Sequence, residues 1–106
     1  MGRKSRLRKI TDYETGFRCA GGVGILREEV WVNGDEAVVR YNLAFLMPYL
    51  FAADHGRVLG YDNAHGTHER HFMGRVEPAD FHSYAETARR FYREVQTLRK
   101  TYERRQ

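Results

Sequence analysis

The stretch YDNAHGTHERHF, residues 61–72, gathers an aspartate, an asparagine, an arginine and three of the chain's five histidines into twelve positions. Imidazole titrates near about pH 6.5, so two of them can share the work of accepting and donating a proton at neutral pH. A guanidinium can spread paired hydrogen bonds over phosphorane oxygens, which a carboxylate cannot do. RNA brings its own nucleophile, the 2′-hydroxyl, so cleavage of this kind requires neither an enzyme nucleophile nor a metal. In that reaction His68 and His71 are the candidate general base and acid, Arg70 the phosphate stabiliser, and Asp62 the group that orients a histidine and holds its tautomer. Asn63 would bond a phosphate oxygen or the hairpin backbone, and His65 completes the candidate set.

Two other readings stand beside this one. Histidine and aspartate are good ligands for zinc-like ions, but His65, His68 and His71 recur every three residues, which suits neither one face of a strand nor an i, i+4 helical pair. Neither metal nor cofactor is therefore expected. The plainer reading is a polar hairpin tip whose histidines bond only turn backbone. His55, in a turn, and His82, ahead of a helix cap, are read as structural, and Gly21-Gly22-Val23-Gly24 lacks the lysine and Ser/Thr of a phosphate-binding loop.

The elements that must position the cluster follow from patterning. Residues 24–32 and 37–47 are rich in Val, Ile, Tyr, Phe and Trp and flank Asn33-Gly34-Asp35-Glu36, so they form a hairpin. Leu26, Val30 and Val32 then share an apolar face with Ala37, Val39, Tyr41, Leu43 and Phe45. Pro48 and Asp54-His55-Gly56 end that hairpin and lead into a third strand, 57–62. Asn63-Ala64-His65-Gly66 reverses the chain into a fourth, 67–73, which sets Asp62 beside Thr67 or His68. A period of two places His68, Arg70 and Phe72 on one face and Glu69, His71 and Met73 on the other. Hence the two histidines act together only if the strand is bulged near Gly66. From Ser83, an N-cap with Glu86 completing a capping box, Tyr84, Ala88, Phe91, Val95, Leu98 and Tyr102 trace a helical stripe through 83–104. The expected fold is α+β, an antiparallel four-stranded meander covered by one long C-terminal helix.

With 106 residues the chain is expected to form one domain, with a sheet over 24–73 and a basic N-terminal segment, 1–12, that can stay flexible. Charge is concentrated at the ends. Residues 1–9 hold five Lys/Arg and no acid, and 83–105 hold seven basic against three acidic residues, whereas 10–82 hold six against eleven. Phosphate backbones reward such clustering, so Arg3, Lys4, Arg6, Arg8, Lys9, Arg89, Arg93 and Lys100 are candidates for holding a nucleic acid; Trp31 could stack a base, but a protein-partner contact or an ordinary partly buried aromatic is the preferred reading for it. An exposed, solvated helix face and a plain tail explain the same charges. The absence of a long apolar run, of a secretory signal and of any cysteine besides Cys19 points to a cytoplasmic protein with no membrane association and no internal disulfide.

Tyr61-Asp62-Asn63, closing a strand, followed by His68-Glu69-Arg70-His71 and a terminal helix, resembles the TumE-type toxins of bacterial toxin–antitoxin modules. The likeness spans residues 26–100 in layout and about a dozen positions in identity. The link from Asn63 to His68 is shorter than in many members, and His65 has no clear counterpart. The resemblance implies the toxin half of a two-gene module, bound by a cognate helix-turn-helix antitoxin, forming an oligomer with it and inhibiting growth by cleaving RNA. The rival is a non-catalytic growth inhibitor that occupies a nucleic acid or protein partner.

Overall fold

The computed structural model describes residues 6–19 and 21–103. They form six strands, β1 (Arg8–Cys19), β2 (Gly22–Val32), β3 (Val38–Leu46), β4 (Arg57–Asp62), β5 (Glu69–Phe72) and β6 (Arg75–Pro78), followed by helix α1 (Tyr84–Glu103). The strands pair in sequence order, each antiparallel to the next. The class is the expected α+β meander with a C-terminal helix, but the sheet has six strands rather than four.

Both additional strands lie on the edges. β1 begins at Arg8, inside the segment expected to be able to stay flexible, and runs along the whole of β2 with one bulge between Lys9 and Thr11. Thr11, Tyr13, Thr15 and Phe17 alternate toward the helix side, but this periodicity is mostly polar and gives little hydrophobic signal. β6 follows a two-residue turn in which Met73 (φ 49°) and Gly74 (φ 83°) are both left-handed, the geometry that continues a right-twisted hairpin. All four residues of β6 are exposed.

Helix α1 covers one face of the sheet. Phe91, Val95 and Tyr102 of the predicted stripe are buried with Tyr41, Leu43, Phe45, Met47, Leu59 and Tyr61. The cap forms as expected, with Glu86 N–H donating to Ser83 Oγ at 3.1 Å. The sheet face beneath is not apolar throughout. Val30 and Val32 are buried, but Ala37, Val38 and Val39 are exposed, and Glu28 sits between Leu26 and Val30 on the covered side. Its carboxylate accepts hydrogen bonds from the Tyr84 and Tyr92 hydroxyls. Glu94, on the helix, accepts likewise from Tyr61 and from the Arg70 guanidinium. Two carboxylates are thus held under the helix by phenols and one arginine, which meets the requirement that buried charge be paired.

Among the described residues, the opposite face carries no α-helix. Among the described residues, no helix is long and apolar enough to cross a membrane.

Burial, then the Asp62 charge, pushes the Tyr41 hydroxyl up to about 12. Burial, then the hydrogen bond to Glu94, does the same to Tyr61, and burial followed by Glu28 raises Tyr84 and Tyr92 as well. All four hold their protons more tightly folded than unfolded, so their stabilising contribution is complete below the ordinary value of 10.0 and falls away above it; for Tyr41 and Tyr61 it is lost as pH rises through about 12, and for Tyr84 and Tyr92 only at still higher pH. Urea midpoints are expected to fall steeply between about pH 10 and about pH 12, with phenolate absorbance rising in step with unfolding. Phenolate absorbance that rose to completion while the fold stayed intact would contradict this.

Candidate functional site

The register of β4 with β5 decides where the polar cluster goes. Tyr61 pairs with Arg70 and Gly60 with His71, while Asp62 pairs with Glu69 rather than with Thr67 or His68, because the connecting loop is six residues long, not four. Arg70 therefore points under the helix beside Tyr61, and His71, Glu69 and Asp62 point to the uncovered face. No bulge interrupts β5, so His68, Arg70 and His71 do not converge on one point. Asp62 accompanies His71 and not His68.

On the uncovered face Arg57 organises the cluster. Its Nε and Nη2 donate to the two oxygens of Asp54 at 2.8 and 3.2 Å, Nη1 donates to Asp62 Oδ2 at 3.2 Å, and Nη2 lies 3.1 Å from His71 Nδ1. A guanidinium only donates, so Nδ1 is the acceptor and the ring proton sits on Nε2. That nitrogen is 3.0 Å from Asp62 Oδ2 and 3.6 Å from Glu69 Oε1, yet it is buried and has no hydrogen-bond partner, being out of line with the first and too far from the second. Two backbone features make the arrangement possible. Asp54, His55 and Gly56 are successively left-handed (φ 52°, 56° and 84°), which turns Asp54 back onto Arg57. Gly60 leaves room for the arginine, since a Cβ there would lie 2.7 Å from Arg57 Cδ. An open depression of about 210 Å³ adjoins, lined by Arg27, Asn42, Asp54, His55 and Arg57 among others.

On the helix side, His68 is fixed from two directions. Tyr41 Oη bonds Nδ1 at 2.8 Å, and the Phe81 ring stacks on the imidazole at 3.8 Å, tilted by only 7°. Nε2 has no partner among the described residues, and the ring lines a cavity of about 260 Å³ with Thr67, Glu69, Val76, Glu77 and Pro78. Glu77 stands opposite Arg70 in the β5–β6 ladder and therefore shares the His68 face. Arg70 is engaged by Glu94 and lies 3.6 Å from Glu77.

The remaining candidates are dispersed. Asn63 acts on backbone, accepting from Tyr41 N–H and donating to Val39 C=O, both at 3.0 Å, so it extends the β3–β4 ladder by one residue. His65 is 81% exposed at the loop tip, 4.0 Å from Glu69. Arg89, Arg93 and Lys100 are exposed on the helix and Arg6 precedes β1, whereas Arg3 and Lys4 lie outside the described residues. Arg90, which the sequence reading passed over, donates to Asp80 C=O at 3.2 Å, and its charge draws the Tyr41 hydroxyl down against the effect of burial. Trp31 lies on the uncovered face with Lys9 and Arg40 over its ring at 5.0 and 4.9 Å. Arg57, Asp54, Glu69 and Glu77 were likewise missed. The signal available for Arg57 was Gly60, because a glycine inside an apolar strand marks the close approach of another group.

Comparison with models of known protein families, with curated proteins and with solved structures finds no match to this chain.

Asp62 is buried, so removing its guanidinium partner leaves a carboxylate uncompensated. Arg57→Met is expected to cost about 3–5 kcal/mol in urea unfolding. The double variant Arg57→Met/Asp62→Asn should lose less than the sum of the single losses, by about 1–3 kcal/mol. Additive losses would mean that the two side chains are not coupled.

Proposed function

We propose that this chain is the toxin component of a toxin–antitoxin module and a metal-independent endoribonuclease working at the cavity beside His68. The observation that carries the reading is the state of that imidazole. One nitrogen is tied to Tyr41, the ring is stacked on Phe81, the other nitrogen has no partner among the described residues, and the histidine lines a cavity together with Glu77.

A carboxylate and an imidazole lining one cavity can divide the reaction as two imidazoles would. Glu77 takes the proton of the 2′-hydroxyl as it attacks phosphorus, and protonated His68 gives its proton to the departing 5′-oxygen. His68 remains a proton-transfer group but as the acid, the part first given to His71, which faces the other way, and Glu77 takes the part of the base. Arg70 beside Glu77, together with Arg90, supplies positive charge for the phosphorane. Arg6, Arg89, Arg93 and Lys100, exposed on the surface, serve to hold a phosphate backbone. The toxin assignment, its cytoplasmic setting and its helix-turn-helix antitoxin partner rest on the resemblance of Tyr61-Asp62-Asn63 and His68-Glu69-Arg70-His71 to TumE-type toxins.

The non-catalytic rival draws on one observation: the charges of Arg57, Asp62 and Arg70 are all spent on internal partners, as scaffolding would be. Purified protein separates the two readings. His68→Ala and Glu77→Gln are each expected to lower RNA cleavage by about 10²–10⁴-fold while circular dichroism and antitoxin binding persist, with EDTA without effect. Toxicity and cleavage undiminished in both variants, or no cleavage by the parent protein on any RNA, would overturn the catalytic reading.

A further inference from the structure

On the uncovered face, where Glu69 also lines the His68 cavity, one buried polar atom has no hydrogen bond. His71 Nε2 belongs to a side chain only 10% exposed and is aimed between two carboxylates, Asp62 at 3.0 Å and Glu69 at 3.6 Å, without alignment to either. Two ligand atoms each about 2.1 Å from a cation stand about 3.0 Å apart at a right angle and about 3.4 Å apart at the tetrahedral angle. The separations around Nε2 match the edges of such a polyhedron, and the ligand atoms of all three residues lie within 4.8 Å of one another.

We infer that Asp62, Glu69 and His71 form a binding site for a divalent cation of the zinc class. The nitrogen donor and the small ligand number favour such an ion over magnesium, which takes oxygen ligands and retains its waters. Asp62 is suited to the task because its second oxygen, Oδ1, already accepts the Ala64 N–H at 3.2 Å, which fixes the carboxylate. Glu69 is one-quarter exposed and provides the path of entry.

Arg57 is the competitor. Its Nη2 faces Nδ1, and when the ion takes Nε2 the ring proton moves to Nδ1, where that N–H would oppose it. Its Nη1 also donates to Asp62 Oδ2 at 3.2 Å, the oxygen the ion would take, and the arginine can withdraw from both Asp62 and His71 without losing its anchorage, because it retains both oxygens of Asp54. The guanidinium therefore guards the site in the absence of metal, and its removal should strengthen metal binding.

The test uses the full chain without a tag, stripped by chelator, titrated calorimetrically with zinc chloride and in parallel with magnesium chloride. About one zinc per chain is expected, with magnesium at least about a hundredfold weaker. His71→Ala and Asp62→Asn should each lower zinc affinity by about a hundredfold or more, His65→Ala should leave it unchanged, and Arg57→Met should raise it. Because buried variants can fail to fold, the parent protein supplies a second readout. In histidine ring ¹⁵N spectra, zinc should shift His71 Nε2 and leave His68 unmoved. Absence of saturable zinc binding, binding that survives His71→Ala or disappears with His65→Ala, or an unshifted His71 ring would each overturn the inference. RNA cleavage is not read in any arm, so this site and the ribonuclease proposal stand or fall separately.

Discussion

An antiparallel pairing fixes not only which residues are neighbours but which side of the sheet each one faces. Once Asp62 lies opposite Glu69 and Tyr61 opposite Arg70, every polar residue of the 61–71 stretch that sits on a strand is committed to one face. Helix α1 covers one of those faces, so the two populations enter different surroundings. Arg70 meets a buried tyrosine and a helix glutamate, while His71 meets Asp62 and Arg57 on a sheet open to solvent.

Both surroundings withdraw carboxylates at least partly from solvent, and in each one arginine answers part of that charge. Beneath the helix, Arg70 serves Glu94, with the Tyr61 hydroxyl bonding the same carboxylate. On the open face Arg57 serves Asp54 and Asp62 and also reaches the His71 ring. The symmetry explains why neither guanidinium stands free in this structure. What differs is the imidazole left over on each side. His68 has an unpartnered nitrogen on a ring that lines a cavity, on which the ribonuclease proposal rests, whereas His71 has its own buried between carboxylates, on which the proposed cation site rests.

The backbone meets the demands of these sites at a few positions. Three successive left-handed residues, two of them not glycine, turn Asp54 toward Arg57, and strain of about 1–3 kcal/mol at each non-glycine position must be offset by the contacts it makes possible. Gly60 gives up a side chain so that the arginine can lie across the strand. Asn63 spends its amide on the backbone of β3 and thereby holds the end of β4 in register.

Patterning alone determined a good part of this molecule. The β2–β3 hairpin, the strand at 57–62, a strand within 67–73, the Ser83 cap and the helix stripe all follow from local periodicity and turn chemistry, which act over a few residues and are written in the residues themselves. The split of His68 and Arg70 from His71 was also legible, because a period of two is a property of the strand and needs no partner. Tertiary structure alone decided the rest. The edge strands β1 and β6 bury little, so their hydrophobic signal is weak and only pairing with β2 and β5 reveals them. The exchange of His71 for Glu77 beside His68, the seating of Arg57 between Asp54 and Asp62, and the anchoring of His68 by Tyr41 and Phe81 join residues up to 27 positions apart. Such contacts depend on register, loop length and the placement of the helix, none of which any single stretch of sequence contains.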